Sequence, residues 1–138
     1  MRKVDCYPTL DWFTIDQLEH FARLAGYTRT HYTAEIAHLS LWNKACLEVL
    51  QPYTILPVTL HWNTPGEIFG VFPSESPKKI HIPDGRRIKF RIPFEDMQRL
   101  KVLQYSTFSS SRDSLWSLLI PSVLQNDRVR SLIHGNHI

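Results

Sequence analysis

Apolar positions along the chain recur first at helical and then at strand spacing. Leu18, Phe21, Ala22 and Ala25 share one face of a helix. Ahead of them, Thr14-Ile15-Asp16-Gln17 has the form of a capping box, and Gly26 stands where a left-handed C-cap belongs. A second helix is expected after Thr33, with Ile36, Leu39, Cys46 and Leu50 on one stripe, widened by Leu47 and Val49 and closed by Pro52. From Thr54 to Trp62 the period drops to two. Leu56, Val58, Leu60 and Trp62 share one face, with Pro57 marking an edge or bulge. Asn63-Thr64-Pro65-Gly66 reads as a turn, and Glu67 to Phe72 as a strand covered on both faces, before a loop bracketed by Pro73 and Pro77.

Lys78–Ile82 and Arg87–Ile92 alternate apolar with basic residues around Pro83-Asp84-Gly85. Proline presets a turn, Asp bonds its own backbone and glycine accepts a positive φ, so a tight hairpin is expected here. Pro93 suits the first turn of a helix, followed by Glu95 and Asp96 at the positive end of its dipole. Beyond the serine cluster Ser109–Ser111, Asp113 to Leu124 reads as a helix that Pro121 must kink or end, and Asp127 to Ile133 as a last short one. The expected architecture is α+β: an antiparallel four-stranded β-meander flanked by two N-terminal and two to three C-terminal helices. A length of 138 residues makes residues 1–138 one expected domain, long enough to bury a core without staples.

Charge changes the picture more than composition does. Hydrophobic residues at 43% and charged ones at 21% are ordinary for a globular chain and exclude a disordered tail. The formal charge is +3, but residues 78–91 hold six cations and one anion, which is +5. The remaining 124 residues carry ten cations and twelve anions, which is −2. The positive potential is therefore local. In the expected hairpin Ile80, Ile82, Ile88, Phe90 and Ile92 take one face, and Lys79, His81, Arg87, Lys89 and Arg91 the other. Like charges facing one another across a ladder repel, so a solvated edge or a polyanionic partner must offset them.

Arginine and lysine at this density fit phosphate. The expected contact set is Lys79, Arg87, Lys89 and Arg91, with Lys78 and Arg86 at the rim and Arg29 assisting from the polar stretch Tyr27–Tyr32. The expected function is nucleic-acid binding, DNA or RNA, without enzymatic activity. The alternative is an adaptor or inhibitor that docks the same hairpin on an acidic protein surface. The patch of Leu115, Trp116, Leu118, Leu119 and Ile120 is expected in the core, and as a homo-oligomer contact if the domain leaves it uncovered. Two helices followed by a hairpin resemble a winged helix in outline, but Glu35 near the start of the second helix is a poor base reader.

Candidate chemistry is sparse. His31 and His38 are seven apart, too far for a single-turn ligand pair, and His134 and His137 lack neighbouring carboxylates or thiols. His81, between Lys79 and Arg87, is expected to stay neutral. A magnesium-dependent nuclease is the further alternative, since strands beside helices with Pro83-Asp84 resemble the PD-(D/E)xK arrangement. Arg87, however, stands two positions before Lys89 in place of Glu or Gln, and Asp84 is committed to the turn. Glu48, Glu67 and Glu75 are the other acids near the strands. No glycine-rich phosphate loop, nucleophile elbow or Cys/His setting occurs, so no cofactor, metal or catalytic residue is assigned. Cys6 and Cys46 do not make a disulfide framework, the first residues lack the apolar core of a secretory signal, and no apolar run is long enough for a membrane helix. An intracellular location, cytoplasmic or nuclear, is the expectation.

Overall fold

A computed structural model describes residues 2–70, 78–108 and 111–134. The loop from Pro73 to Pro77, the end of the strand expected to reach Phe72, Ser109 and Ser110, and His137 lie outside these residues. The fold is mixed α+β. In chain order it runs β1 (Lys3–Cys6), β2 (Thr9–Asp11), α1 (Trp12–Ala25), α2 (Arg29–Trp42), α3 (Lys44–Leu47), a 3-10 segment Glu48–Tyr53, β3 (Val58–Thr59), β4 (Ile68–Phe69), β5 (Gly85–Arg87), β6 (Phe90–Pro93), α4 (Phe94–Ser106), a 3-10 turn Arg112–Leu115, α5 (Trp116–Leu124) and α6 (Asp127–His134).

The four-stranded meander does not form. The strands make three two-stranded antiparallel sheets, β1 with β6, β2 with β5 and β3 with β4. The first two share one register. Paired residue numbers add up to 96 from Lys3 opposite Pro93 to Asp11 opposite Gly85. Two bonds outside the named strands keep the same sum, Ile88 N–H to Pro8 O at 2.9 Å and Phe94 N–H to Arg2 O at 3.1 Å. Residues 2–11 and 85–94 therefore form one long ribbon. It is interrupted at Pro8, which accepts from Ile88 but has no N–H to return the bond.

The 83–85 hairpin does not form either. Residues 78–83 carry no strand, and Gly85 pairs across to Asp11 rather than turning the chain back. Gly85 is not among the positive-φ glycines, which are Gly26, Gly66 and Gly70 among the described residues. Its requirement is different: a Cβ there would lie 1.9 Å from Leu10 O and 2.7 Å from Asp11 Cα. The local turn chemistry was real, but a partner strand with an apolar face to bury outcompeted it. Ile80 is buried as alternation required, whereas Ile82, expected on the same face, is 70% exposed.

The helices start earlier than expected, and the second does not run on to Pro52. It ends at Trp42, Asn43 is extended, and Cys46 and Leu50 belong to α3 and to the 3-10 segment, which contains Pro52. Asp11, not Thr14, caps α1, accepting from Thr14 N at 2.6 Å, and Gly26 closes the helix at φ 77°. Thr28 caps α2 through His31 N at 3.2 Å, so the expected Tyr27–Tyr32 loop is mostly the first turn of that helix. The strand expected from Thr54 to Trp62 is reduced to Val58–Thr59, with Leu60 buried just beyond it. Phe69 is buried but Ile68 is exposed, so β4 is covered on one face only. Pro121 stands inside α5, whose Trp116, Leu119, Ile120, Val123 and Leu124 are all buried. The ribbon's even face meets this helix, with Phe90 and Trp116 rings edge to face at 5.5 Å. Leu115, Trp116, Leu119 and Ile120 are thus covered by their own chain, which removes them as a subunit contact.

Gly85→Ala forces its Cβ against the β2 backbone, which has no flexible tip to give way. The expected loss is about 2 kcal/mol of unfolding free energy, measured by urea denaturation, with Gly26→Ala as a control acting through φ alone.

Candidate nucleic-acid interface

The ribbon sorts its side chains by parity. Cys6, Pro8, Leu10, Ile88, Phe90 and Ile92 point into the core, and the odd positions Lys3, Asp5, Tyr7, Thr9, Arg87, Lys89 and Arg91 form the outer face. Successive cations on β5 and β6 are two residues apart, about 6.8 Å along the strand. What stands across from them is not more positive charge. Arg91 faces Asp5, and in the continued register Lys89 faces Tyr7 and Arg87 faces Thr9. The repulsion expected of a basic hairpin is relieved inside the ribbon.

Asp5 Oδ1 lies 3.0 Å from Arg91 Nε, and Oδ2 lies 3.8 Å from Lys89 Nζ. The Arg91 contact is a charge pairing without hydrogen-bond alignment, since Asp5 Oδ1 is buried without a hydrogen-bond partner. Tyr7 takes up the next interval. Its ring centre is 5.3 Å from the Arg87 guanidinium carbon and 5.8 Å from Lys89 Nζ, and its hydroxyl donates to Asp5 Oδ2 at 3.4 Å. The Tyr7 amide, which points away from the ladder, donates to Asp113 Oδ2 at 3.1 Å and closes the edge there. Lys89 and Arg91 side chains remain 56% and 59% exposed. The face holds four cations, Lys3, Arg87, Lys89 and Arg91, against Asp5 and the capping Asp11, a balance of +2.

Of the seven cations singled out by the sequence, Arg87, Lys89 and Arg91 come together here. Arg86 is exposed, but its parity places it on the opposite side at the ribbon's end. Lys79 and His81 are exposed in the unpaired segment, off the ribbon ladder. Lys78 Nζ lies 5.6 Å from the Tyr53 ring centre, and Arg29 is held by Glu19 at 3.1 Å. Lys3 and Tyr7 join the face without having been singled out. Their signal was alternation of Val4, Cys6 and Leu10, shortened by Pro8.

A second polar cluster escaped the sequence reading. On α2, His38 Nδ1 is 2.8 Å from Asp96 Oδ2, and Arg99 Nη1 donates to Asp96 Oδ1 at 2.6 Å. Asp96 is only 1% exposed, in the first turn of α4, where the helix dipole favours its charge. The Arg99 guanidinium packs over Trp42, 4.7 Å from its ring centre. The hydrogen bond that His38 donates to Asp96 raises the His38 pKa above its ordinary value, against the opposing effect of burial, with the Asp96 charge adding to the rise.

Among the described residues, no three His, Cys, Asp or Glu side chains converge on a metal position. Glu67, considered for magnesium, pairs with Lys44 at 3.2 Å, and Asp84 is exposed. Burial pushes the Cys6 thiol up to about 12, with the Asp113 charge adding to it, and burial raises Cys46 too, so neither is a ready nucleophile. No described helix is long and apolar enough to cross a membrane. No protein-family model matches the chain, and no curated protein or solved structure is significantly similar to it.

Because His38 gains its proton's partner on folding, its stabilising effect is full below about pH 6.5. That effect fades as pH rises through the raised folded value. His38→Ala is therefore expected to destabilise more near pH 5.5 than near pH 8.5. The difference should be about 0.5–1 kcal/mol, since the imidazole is half in water. Urea unfolding at both pH values checks it; equal losses would show that Asp96 contributes nothing through charge.

Proposed function

We propose that the protein binds nucleic acid through the phosphate backbone, along the outer ribbon face of Arg87, Lys89 and Arg91, with Lys3 at its end. One observation carries this reading: cations recur at every second residue on one exposed face, and the in-chain carboxylate beside them is too few to neutralise them. Guanidinium forks and an ammonium on a rigid strand match a row of anions at regular intervals. Each neutralised phosphate releases counterions, which makes the binding steeply salt-dependent and indifferent to base sequence. Tyr7, half-exposed among the cations, offers an aromatic surface to an unpaired base. Exposed Lys79 and Arg86 are available for peripheral contacts. Lys78 and Arg29 are engaged with Tyr53 and Glu19 and stand outside the central contact set. No catalytic role is assigned.

The test is fluorescence anisotropy with a labelled oligonucleotide across a salt series. A triple variant, Arg87→Ala with Lys89→Ala and Arg91→Ala, should reduce the slope of log K against log salt by about 2 on single strands and up to about 3 on duplex. Asp5→Asn removes the competing carboxylate and should tighten binding, most visibly at low salt. Unchanged binding by the triple variant would end the proposal. Partner capture that survives nuclease digestion and is lost in the triple variant would transfer the same face to an acidic protein.

A further inference from the structure

The basic face runs into a cleft of about 290 Å³ between the ribbon and α2. Lys3 and Arg91 stand on its ribbon wall, and His31, Glu35 and His38 on its helix wall, with small Ala34 leaving room between them. The three polar positions on α2 lie four and three residues apart, which puts them on one helical stripe. His31 Nε2 is 3.4 Å from Glu35 Oε1 and its ring stacks on Tyr27 at 4.8 Å, so its polar edge is turned to Glu35. His38 is set differently. Asp96, facing the Arg99 guanidinium, can only accept from the imidazole, so the proton of neutral His38 sits on Nδ1. That leaves Nε2 as the ring nitrogen available to the cleft.

We propose that this cleft is a phosphate-binding site, closed by Lys3 and Arg91 on one side and by the Nε2–H of protonated His38 on the other. The proposal rests on the nucleic-acid reading for the origin of one possible ligand, a strand's terminal phosphate, but not for its chemistry. The charge count explains why His38 decides. Lys3, Lys89, Arg91 and Arg99 stand against Asp5, Glu35 and Asp96, so with both imidazoles neutral the formal sum is only +1. Neutral His38 also turns a lone pair, not a donor, toward the cleft, which repels a phosphate oxygen. Protonation changes both at once: the sum rises to +2 and Nε2 becomes a charge-assisted donor. Buried Asp96, itself held by Arg99, keeps the ring in place in either state, so the site is shaped before the ligand arrives. A seated phosphate in turn favours the imidazolium, so binding and proton uptake are linked.

The test uses the full chain and the His38 ring resonances in NMR, assigned by their loss in His38→Asn, which keeps a donor for Asp96 and removes Nε2. Inorganic phosphate near pH 6 should shift these signals saturably and raise the His38 titration midpoint, against chloride at matched ionic strength. Affinity should fall about tenfold near pH 8 and about tenfold in Lys3→Gln, the loss expected for one charge-assisted bond. Signals that do not move, or move equally in chloride, overturn the site. Oligonucleotides with and without a 5′-phosphate then separate the sources. A preference for the phosphorylated strand, lost in His38→Asn, assigns the site to strand ends, and saturable phosphate binding without that preference assigns it to a free phosphate compound. Phosphate-silent His38 with intact salt-dependent oligonucleotide binding removes the cleft alone. Phosphate binding without any oligonucleotide binding removes the ribbon reading alone.

Discussion

The pairing of residues 2–11 with 85–94 is the constraint on which the other features depend. Its single register sends Cys6, Leu10, Ile88, Phe90 and Ile92 into the core, where Phe90 meets Trp116 of α5. A slip of one residue would exchange the two faces, burying Arg87, Lys89 and Arg91 and exposing the apolar set, at a cost no surface contact could offset. The same register brings Asp5 and Tyr7 up to the cations, so the ribbon tolerates a charge density that a self-paired basic hairpin would not. Gly85 and Pro8 are accommodated within it, one by close backbone approach and the other by a missing bond.

Facing was legible in the sequence, and partnership was not. Alternation placed Ile88, Phe90 and Ile92 opposite Arg87, Lys89 and Arg91 correctly, because side-chain parity is a property of the strand alone. Which strand lies alongside depends on apolar faces elsewhere in the chain. Pro83-Asp84-Gly85 pointed strongly to a local return, while the competing strand, Lys3–Asp11, offered only three alternating apolar residues around a proline. Helix interiors were read well from Leu18, Ala22 and Ile36, though the apolar stripe running on through Cys46 and Leu50 hid the break at Asn43. Their starts were not, because Asp11 and Thr28 cap from positions that a scan of apolar spacing passes over.

The histidines show the limit of reading a site by spacing within one element. His31 and His38 are seven apart, which excluded a ligand pair and yet puts them on one face of α2 beside the ribbon. The anchor for His38 comes from α4, 58 residues away, and Asp96 was legible only as a dipole partner. Burial turned that carboxylate into something more. At 1% exposure it must be matched, and Arg99 and His38 match it from two sides.

The ribbon also imposes an order on how the molecule is made. Its two strands are separated by between 74 residues (Asp11 to Gly85) and 90 residues (Lys3 to Pro93). During synthesis the first strand emerges roughly 4 to 18 s ahead of its mate at ordinary elongation rates. Through that interval Val4, Cys6 and Leu10 have no sheet to join. The helices α1 and α2, with their local contacts, are complete first. The nascent chain thus carries an unclaimed strand until Gly85–Pro93 follow it, and the positively charged surface comes into being only when the ribosome has passed Arg91.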